Sequence, residues 1–305
     1  MDKFLALQVF VAVVDSGGFS PAARRLGLVT SSLTRQVNSL EKNLGTLLIN
    51  RSTRSISLTE AGTQYYHDAR RILDELDQAD QNIIETNGPP QGLLKVTMPT
   101  AFGRLHFAPI LSNYAKLYPK IKLDLQLTDI NLNLVEEGID IAIRFGTTPP
   151  SNLIARKIAP LDRVICASPS YLDSFGTPCE PEDLLQHNCL LFDYKNGQNV
   201  WSLYKGTKKH RLSVSGNLLT NNSEILKEAA IGGMGLIMMP TWLVGEEIRS
   251  QKLVTVLAEW SATPKNENAE IWALYLQNKR GSKKIKTFLD FLTHSFGSPP
   301  YWDTQ

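Results

Sequence analysis

No apolar run in the chain approaches the roughly 18–20 residues that a membrane-spanning helix needs, so no segment is expected to cross a bilayer. Cysteine is scarce. Its three copies, Cys166, Cys179 and Cys189, form no pattern of paired bridges, which fits a reducing compartment. Catalytic signatures are missing as well: the chain has no P-loop and no Gly-x-Ser-x-Gly elbow. The glycines of "GGMGLIMMP" precede a strand instead of following one, which excludes a dinucleotide fingerprint. The histidines (His67, His106, His187, His210, His294) are scattered, with no metal-ligand spacing. His210 lies in the basic run "KGTKKHR", expected as a solvated loop. Neither an enzyme nor a metal protein is expected. An export signal is not expected either. "MDKFLALQVFVAVVDSGG" has a weak basic region and Gln8 interrupts its apolar run, while Phe4, Leu7, Val11 and Val14 fall at helical spacing. The expected location is the cytoplasm.

A strong excess of one charge is also lacking, since the net charge is only +2 over 305 residues. That near-balance hides an asymmetry. Residues 1–58 carry Lys3, Arg24, Arg25, Arg35, Lys42, Arg51 and Arg54 against Asp2, Asp15 and Glu41. Residues 59–87 carry Glu60, Asp68, Asp74, Glu75, Asp77, Asp80 and Glu85 against Arg70 and Arg71. A basic module is thus followed by an acidic helix, and the module hints at a polyanionic partner.

What is present begins with "FSPAARRLGLVTSSLTRQVNSLEKNLG", from Phe19 to Gly45. Ser20-Pro21 reads as a helix start, with the Ser20 hydroxyl as cap, and Gly27 as its left-handed end. A second helix is expected from Thr30, capped by its own hydroxyl, with Leu33, Val37, Leu40 and Leu44 as its apolar stripe. The other face shows Ser31, Ser32, Thr34, Arg35, Asn38 and Ser39. Short hydroxyl side chains let a helix sink into the DNA major groove, and Arg35 can reach a phosphate or a guanine. Two short helices about a glycine turn form a helix-turn-helix; the bland alternative is a small helical core with a solvated outside.

"LLINRSTRSISLTEAG" then alternates at Ile56 and Leu58 as a hairpin would, with Arg51 and Arg54 near its tip. A hairpin beside a recognition helix is a wing placed for phosphates or the minor groove. Thr59 caps a long expected helix from Glu60 to about Asn87. Its apolar positions, Tyr66, Ala69, Leu73, Leu76, Ala79 and Ile83, read as a coiled-coil seam, so the chain is expected to dimerise there. Two copies would bring two basic modules to half-sites of one duplex.

These segments together resemble the N-terminus of the LysR-type transcriptional regulators: the helix spacing, "RQV…LE", "NRSTR" and "LTEAG" occur in order. Departures are Val29, Thr30 and Ser55, in or beside the DNA-reading surface. The resemblance maps Thr30, Ser31, Thr34 and Arg35 onto groove-reading positions and Arg54 onto a wing arginine. With Ser20, Ser32 and Arg51 these make the DNA-contacting set. It further implies a tetramer built as a dimer of dimers, an interrupted inverted-repeat operator in double-stranded DNA, and RNA polymerase as a candidate partner.

After "GPPQG", a hinge, strand and helix patterns alternate: "LLKVTMP", "FGRLHFAPILSNYAKLY", "IKLDLQLT", then "NLNLVEEG" as a helix and "IDIAIRFG" as a strand. Such alternation predicts a parallel sheet with helices on its faces. "RVICASP", "PEDLLQ", "CLLFDY", "RLSVSG", "SEILKEAAIGG" and "GLIMMP" continue, and "AEIWALYL" and "KKIKTFLDFLTHSF" return to the first style. Two α/β subdomains joined by crossing strands are expected. The segments "VTMPTAFG", "NLVEEGIDIAIRFG", "CASPSYL" and "NNSEILKEAAIGGMGLIMMP" are similar to the LysR-type effector domain, with its type II periplasmic-binding-protein fold.

The expected division is a winged helix-turn-helix at 1–59, a linker helix at 60–87, a hinge at 88–91 and an α/β effector domain at 92–305. Its first subdomain is 92–161 with 268–305, and its second is 162–267. Thr100 follows a strand and precedes a helix, so it is either a plain cap or part of a ligand site at the strand ends. The resemblance places Thr100 and Phe102 on one wall, Asn131 and Phe145 beside the next strands, and Asn221 across the cleft. Arg144 pairs with a ligand carboxylate or forms a structural ion pair. No cofactor is expected beyond a small-molecule effector. Two alternatives stay open. One is thiol redox sensing through Cys179 and Cys189; against it, Glu180, Glu182 and Asp183 surround Cys179, and Cys189 sits in an apolar run near His187. The other is a small-molecule-binding protein with no specific DNA output.

Overall fold

A computed structural model describes residues 2–51, 56–86, 88–147, 153–194, 199–264 and 269–303. The chain forms two compact units. One comprises Met1–Pro90, Asn131–Asp140 and Asn278–Lys283; the other comprises Gln91–Ile130, Ile141–Gln277 and Lys284–Gln305.

The first unit opens with helix α1 (Lys3–Asp15), capped by Asp2, whose Oδ1 accepts the amides of Phe4 at 3.0 Å and Leu5 at 3.1 Å. Helices α2 (Phe19–Leu26) and α3 (Thr30–Leu44) follow. The left-handed Gly27 ends α2 at φ 66°, as its place after the helix requires. Helix α3 starts at Thr30 as expected, but both caps differ from the sequence expectation. Helix α2 begins at Phe19 after Gly18, with no side-chain cap, so Ser20 lies inside its first turn and caps nothing. Helix α3 is preceded by Val29, and Thr30 is its first residue. The cap position falls two residues before Ser20 and one before Thr30, which leaves each of these exposed residues within its helix. Leu33, Val37 and Leu40 are buried with Ala6, Phe10, Val13 and Ala22 of the first two helices. Leu44 is exposed, a turn beyond where that core ends.

Glu41 fills the gap. It is buried, and its Oε1 accepts the amides of Leu48 (2.9 Å) and Ile49 (3.1 Å), stitching α3 to the next strand. Strands β1 (Ile49–Arg51) and β2 (Ile56–Leu58) pair antiparallel, Ile49 opposite Leu58 and Arg51 opposite Ile56. The tip with Arg54 lies outside the described residues. Helix α4 (Glu60–Thr86) starts at Thr59, whose Oγ1 accepts the Gly62 amide at 2.9 Å and donates to the Leu47 carbonyl at 2.8 Å. Gly62 has to be glycine: a Cβ there would sit 1.9 Å from the Leu48 carbonyl oxygen. The inserted segments of this unit are tied by Lys279, whose Nζ donates to Asp140 Oδ1 at 2.7 Å, both buried. "NLNLVEEG" is a turn over Leu134–Gly138 rather than a helix. Gly138 takes φ 63° and the Ile139 amide bonds back to Leu134, which closes the chain after one turn.

In the second unit, β3 (Gly92–Met98) leads into α5 (Thr100–Phe102), a π-helical turn at Gly103–Phe107, a 3-10 turn at Ala108–Ile110 and α6 (Leu111–Leu117). Pro109, which has no amide to donate, breaks the single helix expected there into this series. Then come β4 (Ile121–Leu127), β5 (Ile141–Gly146) and β6 (Ile154–Pro160). The chain continues through β7 (Arg163–Ala167), α7 (Pro169–Phe175), a 3-10 turn at Pro181–Gln186 and β8 (Leu191–Phe192). Strands β9 (Val200–Lys205) and β10 (Lys208–Ser213) precede β11 (Leu219–Thr220), α8 (Ser223–Ile231), β12 (Ile237–Pro240) and α9 (Thr241–Arg249). Last are β13 (Val254–Val256), β14 (Ser261–Thr263), β15 (Glu270–Tyr275) and α10 (Lys283–Phe296).

The larger sheet has the order β4-β3-β5-β15-β6. Strand β3 runs parallel to β4 and β5, but β15 is antiparallel to both of its neighbours. The second lobe's sheet, β12-β7-β13, is antiparallel throughout. The expected parallel arrangement therefore holds only in the larger sheet, where β15 alone of the five strands is reversed. The departure follows from β15, which returns from the other lobe and fills the slot between β5 and β6. The two crossings run side by side, with the Leu161 amide on the Ala269 carbonyl at 3.2 Å. "KGTKKHR" is a two-residue hairpin turn and strand β10 rather than a loop, since Lys208 pairs with Lys205 and His210 with Leu203. One apolar core joins the lobes, from Leu94, Ile141 and Phe288 to Leu226, Ile237 and Leu243.

Candidate DNA-reading and ligand-binding faces

The outer side of α3 is built as a contact surface. Thr30, Ser31 and Arg35 are exposed, Ser32 and Thr34 half-buried, and Ser20 on α2 is exposed. Among the described residues no carboxylate pairs with Arg35, so its guanidinium is available to an external acceptor. Thr34 is different. Its Oγ1 donates to the Thr30 carbonyl at 3.0 Å, so its hydroxyl is turned into the helix and its methyl is the group left to a neighbour. Of the wing, Arg51 lies in β1 and Arg54 outside the described residues.

Helix α4 divides its apolar positions in two. Ala69 is buried, and Tyr66 and Leu73 pack against the same core as α1 and α3. The Tyr66 hydroxyl donates to Asp15 Oδ1 at 2.6 Å and accepts from Arg70 at 3.0 Å; burial and the Asp15 carboxylate push its pKa upward. These three side chains thus serve the unit's own core. Further along, Ile72 and Leu76 are 44% and 41% exposed and Ala79 is exposed. With Ile83, whose side chain is outside the described set, they recur at spacings of four, three and four, a heptad-like row that keeps Leu76, Ala79 and Ile83 of the expected seam and adds Ile72. The signal was present in the sequence, but Leu73 and Ile72 are adjacent and periodicity alone does not choose between them.

The expected ligand residues are not all brought together. Thr100 is exposed, and its amide donates to Asp129 Oδ1 at 3.3 Å. Asp129, just beyond the end of β4, was not singled out from the sequence. Arg144 is half-buried beside it. Its guanidinium donates to the carbonyls of Ile143 (2.8 Å) and Ile130 (3.3 Å) and to Thr97 Oγ1 (3.4 Å). Burial lowers its pKa, and the Asp129 charge works against that. Its contacts are thus internal. Asn221 is exposed at the bend before α8, and Asn131 is exposed in the segment that groups with the first unit.

Phe102 does not line a wall. It is 1% exposed and stands at the centre of an aromatic cluster, with Phe145 at 5.5 Å, Trp242 at 5.4 Å and Phe296 at 5.7 Å between ring centroids. Phe145 is half-buried in the same cluster, 5.5 Å from Trp242. The reason is the antiparallel return of the chain, which brings α9 and α10 against the start of the first helical series. His106 completes the cluster. Its Nε2 lies 3.0 Å from the Trp242 carbonyl, which can only accept, so Nε2 carries the proton and Nδ1 accepts from the Tyr301 hydroxyl at 2.6 Å. Burial lowers its pKa to about 4, only partly offset by the Trp242 carbonyl, so the ring is neutral. Closer to the surface, Arg104 pairs with Glu224 at the start of α8, linking the lobes.

Cys166 and Cys189 are buried, and burial pushes both thiols up to about 12. Such thiols carry almost no thiolate at neutral pH. Cys179 is exposed, with its amide on Asp183 at 2.9 Å. Redox sensing is not favoured. Among the described residues no cluster of His, Cys, Asp and Glu fits a metal ion, and no helix is long and apolar enough to cross a membrane.

Comparison with known proteins covers both parts. Residues 4–63 match the bacterial regulatory helix-turn-helix protein, lysR family, and residues 87–297 match the LysR substrate binding domain. The transcriptional activator TtdR of Escherichia coli (strain K12) is 33% identical over 287 residues, spanning 94% of this chain and 91% of that protein. The regulator CrgA of Neisseria meningitidis serogroup B is 35% identical over 96% of each. The structure of CrgA matches with a TM-score of 0.61 over 96% of this chain and 98% of its own, at 34% identity. Full-length AphB, a Vibrio cholerae virulence activator, matches at 0.59 and 26% identity, over 95% and 98%. LysR-type regulators bind DNA through the helix-turn-helix domain and oligomerise, and they are not enzymes. The chain belongs to the LysR family of transcriptional regulators, with an N-terminal helix-turn-helix domain and a C-terminal effector-binding domain.

Proposed function

We propose that the protein acts in the cytoplasm as a dimer, or a dimer of dimers, on an operator carrying an interrupted inverted repeat. One observation carries this reading: the outer side of α3 presents Thr30, Ser31 and Arg35 to solvent. Ser20, Ser32, Arg51 and Arg54 supply backbone and wing contacts. The seam Ile72, Leu76, Ala79 and Ile83 joins two copies, which sets two recognition helices on half-sites about one helical turn apart. Tyr66, Ala69 and Leu73 orient the linker helix on its own DNA-binding unit instead of meeting the partner.

The effector binds at Thr100, Asp129, Arg144 and Asn221, with Phe145 as a neighbour. An effector carboxylate competes there with Asp129 for the Thr100 amide and the Arg144 field, so binding is coupled to release of an internal contact. A ligand that prefers one arrangement of the lobes shifts the DNA-binding pairs, and through them the access of RNA polymerase.

The test is selection of bound duplexes from a random pool by the full-length protein. Enrichment of paired half-sites supports the reading. Binding that enriches no sequence and vanishes at moderate salt reduces the basic module to a non-specific patch and sinks it. Ile72→Asp with Leu76→Asp should give monomers by sedimentation at concentrations where the natural chain is oligomeric; an unchanged oligomer would move the interface elsewhere.

A further inference from the structure

Val29 is the residue immediately before the recognition helix, and it does nothing for that helix with its side chain. Its backbone is extended (φ −82°, ψ 142°), its carbonyl accepts the Ser32 amide at 2.9 Å, and no side-chain cap is made. Ser, Thr, Asp or Asn at this position would bond an orphan amide of the first turn, and valine is among the poor caps. Nor does the isopropyl group serve the core, since it is 69% exposed. A β-branched apolar side chain thus stands in water at a position where a small polar one would stabilise the helix start.

The rest of the reading surface leans the same way. The Thr34 hydroxyl is spent on the Thr30 carbonyl, which leaves a methyl outward, and Leu28 beside Val29 is 42% exposed. The N-terminal residues of a recognition helix are those that touch base edges. In the major groove the base edges offer one apolar group, the 5-methyl of thymine. We infer that Val29 reads a thymine methyl in each operator half-site, so that this residue, in addition to Arg35, sets sequence preference. This rests on α3 being the recognition helix.

The experiment uses the full-length protein and the selected operator, with each thymine replaced singly by deoxyuridine, which removes the methyl and leaves every hydrogen-bonding group. One thymine per half-site should show a loss of about fourfold in affinity, equivalent to ~0.8 kcal/mol for one buried methyl group. Val29→Ser should lose about the same on the natural operator and show no further loss on the deoxyuridine version, because the two changes delete one contact. The same variant should melt at a slightly higher temperature, since serine restores the cap; that readout shows the protein is folded. Equal affinity for every deoxyuridine operator overturns the inference, as does full methyl sensitivity in Val29→Ser. Failure to select any operator would instead overturn the recognition reading, and this inference with it.

Discussion

Arg35 and Arg144 are the same side chain put to opposite uses. Arg35 stands exposed on α3 and pairs with no described carboxylate, so its guanidinium waits for a partner from outside. Arg144, half-buried at the end of β5, donates to two carbonyls and a threonine hydroxyl of its own chain. The same division separates the two faces. On the outer side of α3 the Arg35 guanidinium is left to an outside partner, as suits a large polyanion that reaches exposed groups without rearranging the fold, while the Thr34 hydroxyl is already bonded within the helix. Arg144 is held in internal bonds, because a half-buried group left unpaired destabilises the fold. On the proposed reading, an effector at Arg144 replaces internal bonds, whereas an operator at Arg35 adds new ones.

The largest expected effect lies in the internally satisfied half. His106 has a folded pKa of about 4, below the ordinary value of 6.5. As pH falls from 6.5 towards 4 the unfolded chain takes up a proton that the folded one refuses. Stability from the neutral ring is therefore complete above pH 6.5 and lost by pH 4, by about 3 kcal/mol. Denaturant unfolding at pH 7 and pH 4.5 should show His106→Gln losing ~2–3 kcal/mol less than the natural chain over this interval. Equal losses would mean that the ring is not held neutral. Next, Arg144→Ala should destabilise by about 2 kcal/mol, because charge-assisted bonds are lost from a half-buried site; an unchanged melting curve would place Arg144 with the outward-facing residues.

Arg35→Ala tests the other side. Operator affinity should fall by ~1–3 kcal/mol in a binding titration while the melting temperature holds. A variant that melts early, or binds as before, would break the contrast between the two arginines. The smallest effect separates two threonine hydroxyls. Thr59→Val removes a real cap and should cost about 1 kcal/mol of stability, while Thr30→Val should change it by less than ~0.5 kcal/mol. Equal costs in chemical denaturation would show that Thr30 caps α3 after all.

Much of this was legible in the chain. Leu33, Val37 and Leu40 recur at helical spacing and are buried, Gly27 ends its helix, and Thr59 caps α4, because each of these is decided within one or two turns. The two short helices, the wing strands and the alternation of the second unit were visible for the same reason. Less visible were positions where two local solutions have similar energy. The start of α2 at Phe19 instead of Ser20 and the choice of Ile72 over Leu73 for the exposed seam are of this kind. "NLNLVEEG" has helical composition, but it closes as a turn once Gly138 adopts φ 63°.

By itself, then, the sequence determined the two-part organisation, the helical spacing of the N-terminal unit and the family, since periodicity, capping and charge act between residues close in the chain. Only the tertiary structure decided that Phe102 is a core residue, that Asp129 occupies the Thr100 amide, that Tyr66 and Ala69 belong to the unit's own core, and that β15 runs antiparallel between β5 and β6. Each of those depends on which distant segment arrives as neighbour. A side chain's burial and hydrogen-bond partners are set by that arrival, not by its own immediate sequence.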